Sequence, residues 1–210
     1  DLRLENEAIK LYMGDTVALD LGQDLVKVKL KQFYGIEIND FAVSVAKTAL
    51  WIAESQMLEE TKDIVFANID FLPLKSYTNI VEGNALEIDW ESVVPKDKLN
   101  YIIGNPPFVG ANGVSKSQKQ ELINLFGEKS NAGILDYVGG WYAKSAILIN
   151  DTNIRCAFVS TNSISQGEQV SVLWDFLLKK NISIDFAYKT FVWNSEAKEK
   201  AKVHCIIIGF

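Results

Sequence analysis

The sequence predicts an α/β fold, a mostly parallel sheet flanked by helices on both faces with an antiparallel last strand. Three observations carry this. Short apolar runs alternate with amphipathic segments of helical period, the pattern of βαβ units. Polar and turn-forming residues follow directly on several of the apolar runs, at positions that would be the carboxyl ends of strands. The connection over 190–202 is rich in Lys and Glu and lacks an apolar helical stripe, so the last two strands are expected to pair antiparallel.

The predicted strands are FYGIEI (33–38), NIVEG (79–83), YIIGN (101–105), RCAFVST (155–161), ISIDFAYK (182–189) and VHCIIIGF (203–210). The predicted helices cover 40–58, 116–126, 135–149 and 166–180. Asp40 and Ser115 are expected N-caps, because a short polar side chain can accept from the free amides of a first helical turn. Ser165 with Glu168 fits a capping box opening the last helix. No internal repeat or low-complexity segment interrupts the pattern, and one domain over 1–210 is expected.

Bulk properties narrow the function. With 210 residues, 48% of them hydrophobic, the chain can bury a sizeable core. No apolar run approaches the roughly 18 to 20 residues that cross a bilayer. Cys156 and Cys205 lie in apolar strand-like runs and read as buried thiols of a reducing, cytoplasmic compartment. His204, between Val203 and Cys205, reads as a strand residue, and no metal site is expected. The net charge of -6 lacks the basic footprint of a protein that grips DNA phosphates. Lys116/Lys119 and Lys198/Lys200/Lys202 read as solvated faces. Either the chain does not touch nucleic acid, or the basic surface lies elsewhere in a larger protein.

The strongest chemical signal is Tyr101-Ile102-Ile103-Gly104-Asn105-Pro106-Pro107-Phe108. A buried strand runs into a corner where two prolines fix φ and remove two backbone donors. The Pro106 carbonyl is held rigidly, beside the Asn105 amide and the Phe108 ring. Alone, a Pro-Pro corner is a tight turn. Flanked by an amide and an aromatic at a strand end, it suits a planar heteroaromatic amine. Asn105 and Pro106 can each accept one N–H, and Phe108 can stack on the ring, a contact of about 1–3 kcal/mol per base. Such an amine is a poor nucleophile because its lone pair is delocalised, and two acceptors that favour a tetrahedral nitrogen localise that pair. The catalysis is positional and electrostatic, with no strong base.

Two weaker signals stand at earlier strand ends. In Gly35-Ile36-Glu37-Ile38-Asn39, a carboxylate after an apolar strand either caps the following helix or accepts ribose hydroxyls, and alone the position does not choose. In Glu82-Gly83-Asn84-Ala85-Leu86, Asn84 could accept from a cofactor's adenine amine, although Gly-Asn is also common in turns. Acid, amide and NPPF following successive strands reinforce one another.

Together FYGIEIN, GNALEIDW and YIIGNPPFVG resemble motifs II, III and IV of class I amino-methyltransferases in the γ order. LDYVGGWYAKSA, FVSTNSISQGEQVSVLW and KTFVWNSEAKEKAKVHCIIIGF extend the likeness to the methyltransferase region of large single-chain restriction–modification enzymes. The resemblance implies a Rossmann-like sheet and transfer of a methyl group from S-adenosylmethionine to adenine N6 in double-stranded DNA. It implies that Glu37 holds the cofactor ribose, that Asn84 and Ala85 contact its adenine, and that Ile38 and Pro107 sandwich that ring. Asn105 and Pro106 would hold the target amine and Phe108 would stack on the flipped base. Phe191 would be the second aromatic of that sandwich, or else a core residue at a strand end. The same NPPF also occurs in enzymes that methylate a glutamine amide in release factors, a ribosomal RNA base methyltransferase is a second alternative, and a fold remnant or interaction scaffold without catalysis is a third.

One departure stands out. The family's first motif, a strand and glycine-rich loop for the methionine part of the cofactor, is not found, and Asp1 to Lys10 read as the tail of the helix that follows it. Nor is a target-recognition or nuclease motif present. The chain is therefore expected to be a partial, inactive domain of a larger protein. Its unpaired strand edges are expected to be met by closure of the sheet, by a second chain as in an oligomer, or by the rest of a longer protein.

Overall fold

The structure, a computed structural model, describes residues 28–65, 79–193 and 203–210, with the backbone alone for 62–65. The reading of Asp1–Lys10 and the Lys198/Lys200/Lys202 face lie outside these residues. The chain divides into two compact units, with the boundary between Asp89 and Trp90. No helix among the described residues is long and apolar enough to cross a membrane.

In the first unit β1 (Gly35–Glu37) leads through α1 (Asp40–Val65) into β2 (Ile80–Glu82). The strands pair in parallel, Gly35 with Ile80 and Glu37 with Glu82. The N-cap of α1 is Asn39, not Asp40. The Asn39 side-chain oxygen accepts from the Ala42 amide at 3.0 Å, while the Asp40 carboxylate accepts from the amide of its neighbour Phe41 at 2.6 Å. Helix α1 also runs past the expected end at 58, because no breaker interrupts it before Val65.

The second unit contains β3 (Tyr101–Gly104), α3 (Lys116–Phe126), α4 (Gly139–Ile149), β4 (Arg155–Thr161), α5 (Gln169–Leu178), β5 (Phe186–Trp193) and β6 (Val203–Gly209), after a short α2 (Trp90–Val93). The strand order is β3-β4-β6-β5. Strands β3 and β4 are parallel, and β6 is antiparallel to both β4 and β5, as the Lys/Glu-rich connection predicted. Strand β5 therefore runs parallel to β4. Ser115 caps α3 as expected, accepting from Gln118 N in a capping box. Ser165 does not cap α5. Its hydroxyl donates to Asn162 O at 2.8 Å inside a 3-10 turn, Asn162–Ser165, and α5 begins only at Gln169. Helix α4 likewise starts at Gly139, later than the expected 135, after a 3-10 turn at Ala132–Ile134.

Strand β5 starts later than the expected 182, because β6 decides where it can pair. Asp185 N donates to Gly209 O, and the ladder then runs from Phe186–Gly209 to Trp193–Val203. The 182–185 segment has apolar residues but no partner strand in this ladder. The aromatic and β-branched TFVW segment supplies the paired end instead.

The core of this unit forms on the Phe158 face of the sheet. Tyr142 of α4, fully buried, stacks on Phe210 with centroids 5.3 Å apart and meets the ring of Phe158 at 5.2 Å. Its phenol is bonded to Ser160 Oγ at 2.8 Å, so the one polar atom carried into the core is satisfied. Trp174 of α5 meets Tyr142 from the helical side. Cys156 and Cys205 are both free and buried, and burial pushes the Cys156 thiol up to about 12 despite a hydrogen bond with Ser145. His204 lies on β6 opposite Val192, in the strand as expected.

Candidate functional site

At the carboxyl end of β3 the chain leaves the sheet after Gly104, which pairs with Phe158. Asn105 and Pro107 are exposed, Pro106 is buried and Phe108 is half-buried. Pro106 thus packs against the protein while Asn105 is open to solvent.

The Phe108 ring meets Trp193 edge-on, centroids 6.5 Å apart and planes at 90°. Trp193 in turn lies 6.4 Å from Phe191. These two β5 residues reach this end of the sheet because β5 runs parallel to β3. A bulge adds a second condition. Tyr188 pairs with Ile207 but Phe191, not Thr190, pairs with Cys205, so one extra residue is inserted. That insertion puts Phe191 and Trp193 on the same face as Phe186 and Tyr188, where an unbulged strand would have turned them away. Phe191 is half-buried rather than enclosed in the core. Trp193 was missed by the sequence analysis, although its i, i+2 spacing from Phe191 in KTFVW is a same-face signal.

In the first unit, Glu37 and Asn84 are brought together at the carboxyl ends of paired strands. The Gly83 amide donates to Glu37 O at 2.8 Å, which holds the two loops side by side. One Glu37 carboxylate oxygen accepts from Asn39 N at 3.2 Å, so the residue also serves the helix start that the sequence left open. Ile38 beside it is 69% exposed. The Asn84 oxygen accepts from Leu86 N at 3.0 Å, an Asx turn that orients the amide, with Ala85 half-buried next to it. Ile38 and Pro107 lie in different units.

A further group was not anticipated at all. Asp136, 5% exposed, lies between the loop that follows NPPF, the turn after β4 and the start of α5. Burial alone would push its carboxyl up. Hydrogen bonds from Ser163, Thr161, Gln169 and the Ala111 amide outweigh that and hold it below its ordinary value. The sequence signal was only an acidic residue in an otherwise apolar stretch, LDYVGG. A shallow groove lined by Lys96, Asp97, Asn100 and Thr152 opens at the amino ends of β3 and β4, at the other end of these strands from the Asn105–Phe108 corner.

Residues 2–210 match the family described as MmeI, DNA-methyltransferase domain. DNA methyltransferase A of Bacillus subtilis (strain 168) is 46% identical over 186 residues, covering 87% of this chain and 21% of that protein. Among solved structures, the type IIL restriction-modification enzyme MmeI in complex with DNA superposes with a TM-score of 0.89 and 45% identity, over 100% of this chain and 28% of that one. The chain thus spans well under a third of the length of either relative.

Proposed function

The chain belongs to the MmeI DNA-methyltransferase domain family, and from that membership we propose that the protein carrying it methylates adenine N6 in duplex DNA within a restriction–modification system. The single observation that carries the adenine assignment is the strand-end corner Asn105-Pro106-Pro107-Phe108, with its amide exposed and its ring set against Trp193. Cytoplasmic DNA is the proposed substrate and S-adenosylmethionine the methyl donor. The parallel β1–β2 and β3–β4 pairs, each joined through helices, support a Rossmann-like reading of the whole domain.

The residues of the first unit fit the nucleoside part of that donor. Glu37 keeps one carboxylate oxygen for the ribose hydroxyls while the other holds Asn39 N. Ile38 offers an exposed apolar face for an adenine ring. The oriented Asn84 amide retains a lone pair for the adenine amine, with Ala85 alongside. When bound, the cofactor supplies an electrophilic methyl group on a sulfonium centre.

The chemistry assigned to this chain is positional. Extrusion of a base from the duplex costs a few kcal/mol of stacking, which an aromatic partner offsets. Phe108, with Phe191 as second partner, takes that role. The Asn105 side-chain oxygen and the Pro106 carbonyl accept the two N–H bonds of the amine, draw its nitrogen toward tetrahedral geometry and localise the lone pair for attack. No residue needs to remove a proton before the transfer.

The test is methylation of unmodified DNA by the full-length protein with labelled S-adenosylmethionine, followed by nucleoside analysis. N6-methyladenine is the expected product, and Asn105→Ala is expected to abolish it with little loss of stability. Label recovered on cytosine, or near-normal methylation by Asn105→Ala, would overturn the reading.

A further inference from the structure

Two segments that match the family, LDYVGGWYAKSA and FVSTNSISQGEQVSVLW, take no part in the chemistry above. The structure brings them together at one carboxylate. Asp136 Oδ1 accepts from Ala111 N at 2.8 Å and from Gln169 Nε2 at 3.0 Å. Its Oδ2 accepts from Thr161 Oγ1 at 2.8 Å and from the Ser163 hydroxyl. All four lone-pair directions of the carboxylate are used. The Asp136 amide donates to Gln169 Oε1 at 2.8 Å, so Gln169 grips the residue from both sides.

The next residue closes a second link to the same loop. Tyr137 N donates to Val109 O at 2.9 Å, and the Tyr137 phenol donates to the Glu121 carboxylate on α3. Val109, next to Phe108, and Ala111, three residues after it, are the loop residues held. The support behind them is rigid. Asp136 O accepts from Gly139 N at the start of α4, and Val138, Tyr142, Ala143 and Ala146 of that region are fully buried. Segments 109–111, 136–137, 161–163 and Gln169 thus meet at one point, at the carboxyl ends of β3 and β4.

We propose that Asp136 is a positioning residue of the methyltransferase site, which fixes the NPPF corner and its Phe108 ring by clamping the following loop to α4, α5 and the end of β4. Its carboxylate is fully engaged by protein donors. Its effect runs through the Ala111 amide, and the neighbouring Tyr137 amide holds Val109. Catalysis by position is sensitive to such support, since a misplacement of about 1 Å from a remote change can cost about a hundredfold in rate. A neutral amide can largely replace the carboxylate here. In Asp136→Asn the side-chain oxygen would stay toward Ala111 N and Gln169 Nε2, and the NH2 group could donate to Thr161 and Ser163, whose hydroxyls rotate to accept.

This inference rests on the assignment of Asn105–Phe108 given above, and the experiment separates the two. The full-length wild type, Asp136→Ala, Asp136→Asn and Asn105→Ala are compared for kcat and KM on unmodified DNA, with thermal unfolding measured on each. At a temperature well below every midpoint, Asp136→Ala is expected to lose about a hundredfold in kcat with KM for S-adenosylmethionine little changed. Asp136→Asn is expected to stay within about tenfold of wild type. A purely structural role would lower the midpoint and leave kcat per folded molecule intact, and that result would overturn the inference. Should Asp136→Ala fail to fold, Gln169→Met removes both bonds of one partner and is expected to lower kcat about tenfold, with wild-type kcat again overturning the inference. An inactive wild type, or an active Asn105→Ala, would instead count against the site assignment itself.

Discussion

The ring of Trp193 stands at 90° to that of Phe108, centroids 6.5 Å apart, joining the last residue of β5 to the corner that follows β3. An edge-to-face pair of this kind is worth about 0.5–1.5 kcal/mol beyond its buried area.

Phe108 and Trp193 should therefore differ in their kinetic signatures. Phe108→Ala should lower methylation by orders of magnitude and Phe108→Tyr should stay active, because the stacking face is kept. Trp193→Ala should cost about tenfold, the equivalent of about 1.4 kcal/mol of lost orientation. Initial rates on duplex DNA decide this, and equal rates for Phe108→Ala and wild type would remove Phe108 from the site.

Glu37→Gln should weaken cofactor binding far more than it disturbs the fold. The amide keeps an oxygen for Asn39 N, the one bond the carboxylate gives to the helix start, but presents a poorer acceptor to two hydroxyls. A rise of at least tenfold in KM for S-adenosylmethionine is expected, about 1.4 kcal/mol, within the range of a charge-assisted bond. An unchanged KM would leave Glu37 as a capping residue only.

Asp136 should make part of the acid sensitivity of this domain. Its folded carboxyl titrates below the ordinary value, so its contribution to stability is fully present above the unfolded value. That contribution is lost as pH falls through the folded one. Urea midpoints measured from neutral pH down past the ordinary carboxyl range, about 3.9, should fall less steeply for Asp136→Asn than for wild type. Parallel curves for the two proteins would show that folding does not shift the Asp136 carboxyl.

Gly209 is needed for a reason that lies on the neighbouring strand. A Cβ placed there would lie 2.1 Å from Cε1 of Phe186, its partner in the ladder. Gly209→Ala should destabilise by about 1–3 kcal/mol, the usual cost of overpacking. Adding Phe186→Ala should return part of the loss. Two losses that simply add in denaturant unfolding would show that the ring moves aside freely.

The local elements were largely legible, and the reason is physical. Burial periods of 2 and 3.6 are set by the backbone itself, so β4 over Arg155–Thr161 and α3 over Lys116–Phe126 were both read with their observed bounds. The Ser115 cap was legible because the cap and its Gln118 partner are three residues apart. Where a local rule competed with tertiary contacts it failed. Ser165 had the spacing of a capping box with Glu168, yet its hydroxyl turns to Asn162. The 182–185 run looked like a strand, yet β6 offers its ladder only from Phe186 on.

The site shows the same division. The sequence by itself determined which groups stand at strand ends, an acid at Glu37, an amide at Asn84 and the proline-stiffened corner from Asn105 to Phe108, because strand, turn and proline chemistry are local. Only the tertiary structure decided what surrounds them. The β5 bulge that turns Trp193 toward Phe108, and the carboxylate of Asp136 that joins Ala111 to Thr161 and Gln169, depend on strand order and helix packing, and no local period records which distant hydroxyl, amide or ring will arrive beside a given side chain.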